Sequence, residues 1–190
     1  MRIIITQNMT LDGRVEMLDG WFDPSDQDED LAEEIRRQSA EEEVLLLGRQ
    51  TFTDFRGYWP QQHQDTTGVA DQLNRIDKLV VSSTMRDPQW QNSRIVDGDP
   101  LAEVRRLREA EGGDVIITGS IQLAHAVIAA GLADEYRMFV YPYWQGRGRG
   151  FFPEGHSPPS LRLLRARSFG SGVVHLAYGP AAGGHDGGRD

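Results

Sequence analysis

Apolar residues in this chain gather in short continuous runs, and the stretches between them switch to helical spacing. Arg2 to Thr6, Val44 to Leu47, Lys78 to Ser83 and Val115 to Thr118 are rich in Ile, Val and Leu, which predicts strands buried on both faces. Arg94 to Val96 predicts a short strand and Tyr136 to Tyr141 a longer one. Between the runs, Leu31, Ala32 and Ile35 mark one face of a helix reaching to about Glu42, with Ser25 and Asp28 spaced like a capping box at its start. A short helix through Phe52 and Phe55 ends at Tyr58-Trp59-Pro60, and another spans about Val69 to Arg75. Asp99 caps a helix with Pro100 at its first position and Leu101, Val104 and Leu107 on one face, closed by Gly112-Gly113. Gly119-Ser120 opens a helix carrying Leu123, Val127 and Ile128 and stopping at Gly131. Met9 to Asp23 reads as a loop with an Asp12-Gly13 turn. Leu161 to Phe169 and Val173 to Tyr178, joined by Gly170-Ser171-Gly172, read as a closing hairpin.

Strands and helices alternate and a hairpin finishes the chain. That order predicts a three-layer α/β/α fold: a mostly parallel, mixed sheet of about eight strands with an antiparallel C-terminal hairpin. No repeat or linker divides it, so residues 1–179 are expected to form one domain and the glycine-rich residues 180–190 a disordered tail. In such sheets ligands bind at the carboxyl ends of the strands, which directs attention to the loops after Thr6, Leu47, Ser83 and Thr118.

Composition removes several function classes. The net charge of −9 speaks against a nucleic-acid binder, so any phosphate must be held by local devices such as helix N-termini and single arginines. With no cysteine there is no disulfide, thiolate metal site or cysteine nucleophile. MRIIITQNMTLDG is too polar for a signal segment, and no apolar run approaches the roughly 20 residues of a membrane span. A cytoplasmic protein with no membrane partner is the expectation.

Three segments carry candidate chemistry. In Leu47-Gly48-Arg49-Gln50-Thr51 a buried strand ends, glycine lets the backbone turn closely, and a helix begins. Free amides and the Thr51 hydroxyl suit phosphate oxygens there, and the Arg49 guanidinium suits a bidentate grip. Thr118-Gly119-Ser120 repeats the arrangement, and two such sockets together match a pyrophosphate. Ser82-Ser83 at a strand end suits a ribose or an additional phosphate. Each has a plainer reading, as a glycine turn, a helix cap and a serine turn respectively. Gly146-Arg147-Gly148-Arg149-Gly150 precedes Phe151-Phe152-Pro153 instead of a helix and so is no dinucleotide fingerprint. The five histidines lack metal-ligand spacing.

The ordered set of Met9-Thr10-Leu11-Asp12-Gly13, Leu45 to Phe52, Lys78 to Ser83, Thr118-Gly119-Ser120, Ala133 to Tyr136 and Gly146 to Pro153 resembles the dihydrofolate reductase-like superfamily. Within it, the chain is most similar to the reductase domain of the riboflavin-biosynthesis enzyme RibD, from about Arg2 to Tyr178. The resemblance implies an NADPH-dependent reductase, similar to 5-amino-6-(5-phosphoribosylamino)uracil reductase and working as a homodimer. It places Arg49, Ser82 and Ser83 near the adenosine and its 2′-phosphate. Gly48, Thr51, Gly119 and Ser120 would border the pyrophosphate, and the loop from Met9 to Asp23 would cover nicotinamide and substrate. Ile121 and Gln122 stand where relatives often carry further glycine. Dihydrofolate reductases use an acidic residue on the first helix; Glu33 and Glu34 occupy that region without either standing out.

The expected reaction is hydride transfer to a C=N or C=O carbon of a small heterocyclic or sugar-like substrate, with the cofactor carrying the hydride. Asp12, a positioned water or the substrate itself would supply the proton. Trp21, Phe55 and Trp59 would wall the substrate pocket, or serve only as core. A non-catalytic nucleotide-binding module, a homodimeric structural protein and a dihydrofolate reductase are the alternatives.

Overall fold

The computed structural model describes residues 1–23, 28–65, 67–156 and 160–181. The expected capping serine Ser25 and most of the expected tail, residues 182–190, lie outside the described residues.

Eight strands form one sheet: β1 (Arg2–Thr10), β2 (Glu42–Gly48), β3 (Asp77–Val81), β4 (Ser93–Val96), β5 (Asp114–Gly119), β6 (Glu135–Tyr141), β7 (Leu161–Ser168) and β8 (Val174–Pro180). Their order across the sheet is β4-β3-β2-β5-β1-β6-β8-β7. Every pairing from β4 to β6 is parallel, and β8 runs antiparallel to both β6 and β7. The predicted α/β sheet with a closing hairpin is the fold observed.

Two boundaries move. β1 continues past Thr6 because Gln7 to Thr10 pair in register with Met138 to Tyr141 of β6, so the following loop starts at Leu11. Pairing by a neighbouring strand extends a segment that its own polar residues would have ended. The first helix stops at Ser39 and Glu42 already belongs to β2, where it pairs with Asp114.

The helices among the described residues are α1 (Glu29–Ser39), α2 (Arg49–Tyr58), α3 (Val69–Arg75), α4 (Pro100–Glu109) and α5 (Ile121–Ala129), with a 3-10 turn at Trp59–Gln61. Asp28 caps α1 by accepting from the Leu31 amide, and Asp99 caps α4 by accepting from the Leu101 amide. Alternation along the strands assigns side chains to two faces. Ile3, Ile5, Leu46, Leu79, Val115 and Ile117 meet Val104, Leu107, Leu123, Val127 and Ile128 of α4 and α5. On the opposite face Ile4, Leu45, Leu47, Val80 and Ile116 meet Phe52 and Leu73 of α2 and α3. A separate group, Leu31, Phe139, Phe169 and Val173, lies under α1. No helix among the described residues is long and apolar enough to cross a membrane.

Candidate active site

Neighbouring strands β2 and β5 end side by side, with Leu47 opposite Gly119, and each feeds directly into a helix. Gly48 is the N-cap of α2 and has no side chain to occupy the first amides of that helix, which leaves them open to an anion. Ser120 caps α5 through a long contact of 3.4 Å from the Leu123 amide. The two starts approach so closely that only glycine fits. A Cβ on Gly48 would lie 2.4 Å from Ser120 Oγ, and one on Gly119 2.5 Å from Thr51 Oγ1. The Gly119–Ser120 peptide bond is cis.

This corner opens into a cleft of about 600 Å³ on the face covered by α1, α2 and α3. Its floor is made by Thr6 and Asn8 of β1, Leu45 of β2, Ile116 and Thr118 of β5, and Phe139 and Tyr141 of β6. Phe55, Tyr58 and Trp59 form one wall, Ile35 and Gln38 of α1 the other, and Met17 and Phe22 of the first loop reach over the mouth. At the end remote from the strand tips stand Gln38, Ser39, Glu42 and Gln72. An apolar middle flanked by convergent polar groups is the usual makeup of a small-molecule site.

Of the residues singled out from the sequence, Thr51, Gly119, Phe55 and Trp59 line the cleft. Gly48 and Ser120 form the corner behind Thr51 and Gly119. Trp21 stands one layer back. Its ring packs on Tyr141 at 5.4 Å, and its Nε1 donates to Gln145 Oε1 at 2.9 Å. Arg49 is exposed at the first position of α2. Ser82 Oγ accepts from the amides of Thr84 and Met85 and so closes a turn, while Ser83 is exposed past the end of β3.

Asp12 has a different task from the one expected. Its carboxylate accepts from Thr10 Oγ1 at 2.6 Å and from the amides of Gln145 and Gly146 at 3.1 and 2.9 Å. The Thr10 hydroxyl first, and then those amides, hold it well below the usual carboxylate range. It is absent from the cleft lining, and an ionised clasp between two loops has no proton to deliver. The geometry therefore corrects the assignment of Asp12 as proton donor.

Two acids of opposite character were hidden in the sequence. Glu34 of α1 is fully buried but turned toward the hairpin, where Arg37, Gln38, Arg165 and Arg167 donate to it at 2.6, 2.8, 3.2 and 3.2 Å. Burial pushes its carboxyl up, but those donors and the arginine charges outweigh it and bring it down to about 2. The first helix thus puts no carboxylate into the cleft, since Glu33 is exposed. Glu42 does face the cleft, half-buried, and burial pushes it up to about 7. It was hidden because it sits in the run Glu41-Glu42-Glu43, which reads as a solvated stretch.

A sheet of this order, with a glycine corner at the tips of β2 and β5 and a cleft beside it, defines a dihydrofolate reductase-like α/β domain. The pattern of the RibD C-terminal domain matches residues 1–175, and the chain belongs to that family. It is 28% identical over 179 residues to the uncharacterized protein YyaP of Bacillus subtilis (strain 168), covering 93% of this chain and 94% of that one. Among solved structures, it is similar to a putative riboflavin biosynthesis protein from Shewanella sp. PV-4, with a TM-score of 0.70 at 19% identity over 94% of this chain and 98% of that one. It is also similar to the dihydrofolate reductase of Enterococcus faecalis complexed with NADP(H), with a TM-score of 0.62 at 15% identity over 94% and 95% of the two chains.

Proposed function

We propose that this protein is an oxidoreductase that uses NADPH to reduce a small heterocyclic substrate held in the cleft. The observation that carries the reading is the glycine corner. Two helix starts converge where a Cβ on Gly48 or Gly119 would collide, α2 begins with no side chain on its first amides, and the corner opens into a pocket of ligand size. Family membership and the NADP(H)-bound relative support the same reading.

In this account the amides of α2 with Thr51, Gly119 and Ser120 receive the pyrophosphate, and Arg49 with Ser82 and Ser83 borders the adenosine end. When bound, NADPH supplies a hydride to a C=N or C=O carbon. The chain's own residues position and shield: Phe55 and Trp59 offer flat contact to a ring, and Met17 and Phe22 cover the mouth against water. With Asp12 held ionised, the balancing proton comes from a water oriented by Thr6 and Asn8 or from an exchangeable group of the substrate. The missing cleft carboxylate on α1 weighs against dihydrofolate as that substrate.

Thermal melting tests the cofactor. A ligand at about 100 times its Kd adds about 2.7 kcal/mol to stability. NADPH is expected to raise the melting temperature, and no shift with millimolar NADPH or NADH ends this reading in favour of an empty, structural cleft. Arg49→Ala is expected to weaken NADPH by about tenfold or more while leaving NADH nearly unchanged, because a charge-assisted bond to the 2′-phosphate contributes roughly 1.5–3 kcal/mol. Equal weakening of both places Arg49 elsewhere. A homodimer, expected from the family resemblance, is tested by light scattering; a monomer mass removes it.

A further inference from the structure

The cleft lining has a charge pattern that hydride transfer does not require. Among the described residues that line it there is no lysine, arginine or histidine, whereas Glu16, Asp54 and Glu42 all face it. Two of these carboxylates are engaged. Glu16 accepts from the backbone amide, Nε and Nη2 of Arg149 at 3.1, 3.0 and 2.5 Å, and exposed Asp54 accepts from Gln50 Nε2 at 2.9 Å.

Glu42 differs. It stands half-buried at the remote end and accepts no hydrogen bond from any described residue. Its polar neighbours there already have partners. Gln38 Nε2 donates to Glu34 at 2.8 Å, Gln72 Nε2 donates to the Ser39 carbonyl at 3.0 Å, and Gln72 Oε1 accepts from Arg75 at 2.7 Å. A substrate group reaching this end meets an acceptor with open lone pairs in a partly desolvated recess. A hydroxyl or amine is satisfied by it. A phosphate would be stripped of water beside a like charge; the nearest cation, Arg137 of β6, is buried and does not line the cleft.

We propose that the cleft selects a substrate whose distal group is a neutral or cationic hydrogen-bond donor received by Glu42, and discriminates against phosphorylated substrates. The inference rests on the cleft being the substrate site of a reductase and makes Glu42 a specificity-determining residue. Burial pushes the Glu42 carboxyl up to about 7; Arg137 of β6 opposes the rise, and Asp114 of β5 and adjacent Glu41 add to it. Arg2 of β1 and Glu135 of β6 stand behind, bound to Asp114 and Arg137, while α1 and α3 present the uncharged Gln38, Ser39 and Gln72. Near neutral pH the group can therefore meet a hydroxyl as an acid or an amine as an anion. Arg36 and Arg75 are the nearest competing anchors for an anion. They line an adjoining recess of about 150 Å³, with Arg36 paired to Glu29 at 2.6 Å and Arg75 bonded to Gln72.

The test uses three uracil derivatives with one linker, ending in a hydroxyl, a primary amine or a phosphate. Each is titrated by calorimetry into the full chain at millimolar NADPH, and again into Glu42→Gln and Glu42→Lys. The hydroxyl and amine forms should bind the wild type at least about tenfold tighter than the phosphate form, a difference of about 1.4 kcal/mol. Glu42→Gln should abolish the amine preference, which suffices even without a folded Glu42→Lys; the lysine should turn the order toward phosphate. Phosphate binding the wild type as tightly as the others, and weakened by Arg75→Ala, overturns the proposal and moves the distal group to the arginine recess. Equal binding of all three tails, or of none, overturns it as well. The isotherm of NADPH alone is recorded separately: if it is flat while the order of tails holds, the reductase reading fails and the selectivity of Glu42 stands.

Discussion

On one face of the sheet, Ile3, Ile5, Leu46, Val115 and Ile117 pack directly against α4 and α5 in a continuous apolar layer. On the other, the same strands carry two separate apolar groups, one under α2 and α3 and one under α1, and the space between them is the cleft. The difference comes from what each helix turns inward. α5 offers Leu123, Ala124, Val127 and Ile128, whereas α1 buries Glu34 and Gln38 beside Leu31 and Ala32. A helix with a buried carboxylate must satisfy that charge, and the available arginines, Arg165 and Arg167, stand on β7 at the sheet edge. α1 is thereby tied to the hairpin, and the central strands β1 and β5 stay partly uncovered. A polar helix makes the pocket, and an apolar one closes the opposite side.

The sharpest way to break this comparison is Glu34→Ala. Removing this carboxylate costs about 2–3 kcal/mol, because the buried Gln38 amide loses its acceptor while Arg37, Arg165 and Arg167, one-third to nearly half exposed, turn to water. Denaturant unfolding measures it, and a cost below about 1 kcal/mol would mean that α1 is held by Leu31 and its apolar neighbours alone. On the closed face Ile117→Ala should cost about 2–5 kcal/mol, whereas Phe55→Ala in the cleft wall should cost under about 2 kcal/mol, since that ring already borders open space.

Acid sharpens the same contrast. His175 is buried against Phe139, and burial pushes its imidazole down to about 4 from an ordinary 6.5. The unfolded chain then binds the extra proton, so its contribution is present above 6.5 and is lost as pH falls toward about 4, on the order of 2–3 kcal/mol. Glu34 follows lower, its contribution lost between an ordinary 4.5 and about 2. His175→Gln should remove the upper stage of acid destabilisation and leave the lower one. Glu42 has the opposite sign. Its raised carboxyl favours the protonated form, so its contribution is present below 4.5 and lost as pH rises through about 7. Glu42→Gln should accordingly raise the melting temperature by about 2–4 °C at pH 8, equivalent to roughly 1 kcal/mol, and leave it unchanged at pH 4.5.

Much of this architecture could be read in one dimension. The runs Val44 to Leu47 and Val115 to Thr118, the Asp99-Pro100 cap and the glycines ending each run reported local conformation, which depends on neighbours in sequence. The glycine corner was legible for the same reason, because Gly48 and Gly119 each sit where a strand turns into a helix. The roles of two buried or half-buried acids were not. Glu34 and Glu42 lie in similar acidic stretches, and nothing within a few positions of either distinguishes a charge clamped by arginines from one facing a pocket.

The sequence by itself determined the order of elements, the burial of the central strands and the two glycine turns from strand into helix, since these follow from side-chain size, backbone freedom and the period of the hydrophobic pattern. Only the tertiary structure decided that Asp12 is a clasp, that Glu34 belongs to the hairpin and that Glu42 belongs to the cleft. The reason is physical: the proton affinity and reach of a carboxyl are set by the dielectric and donors around it, and beside near neighbours such as Thr10 and Arg37 those include groups from distant segments, Gln145, Arg165 and Arg137 among them.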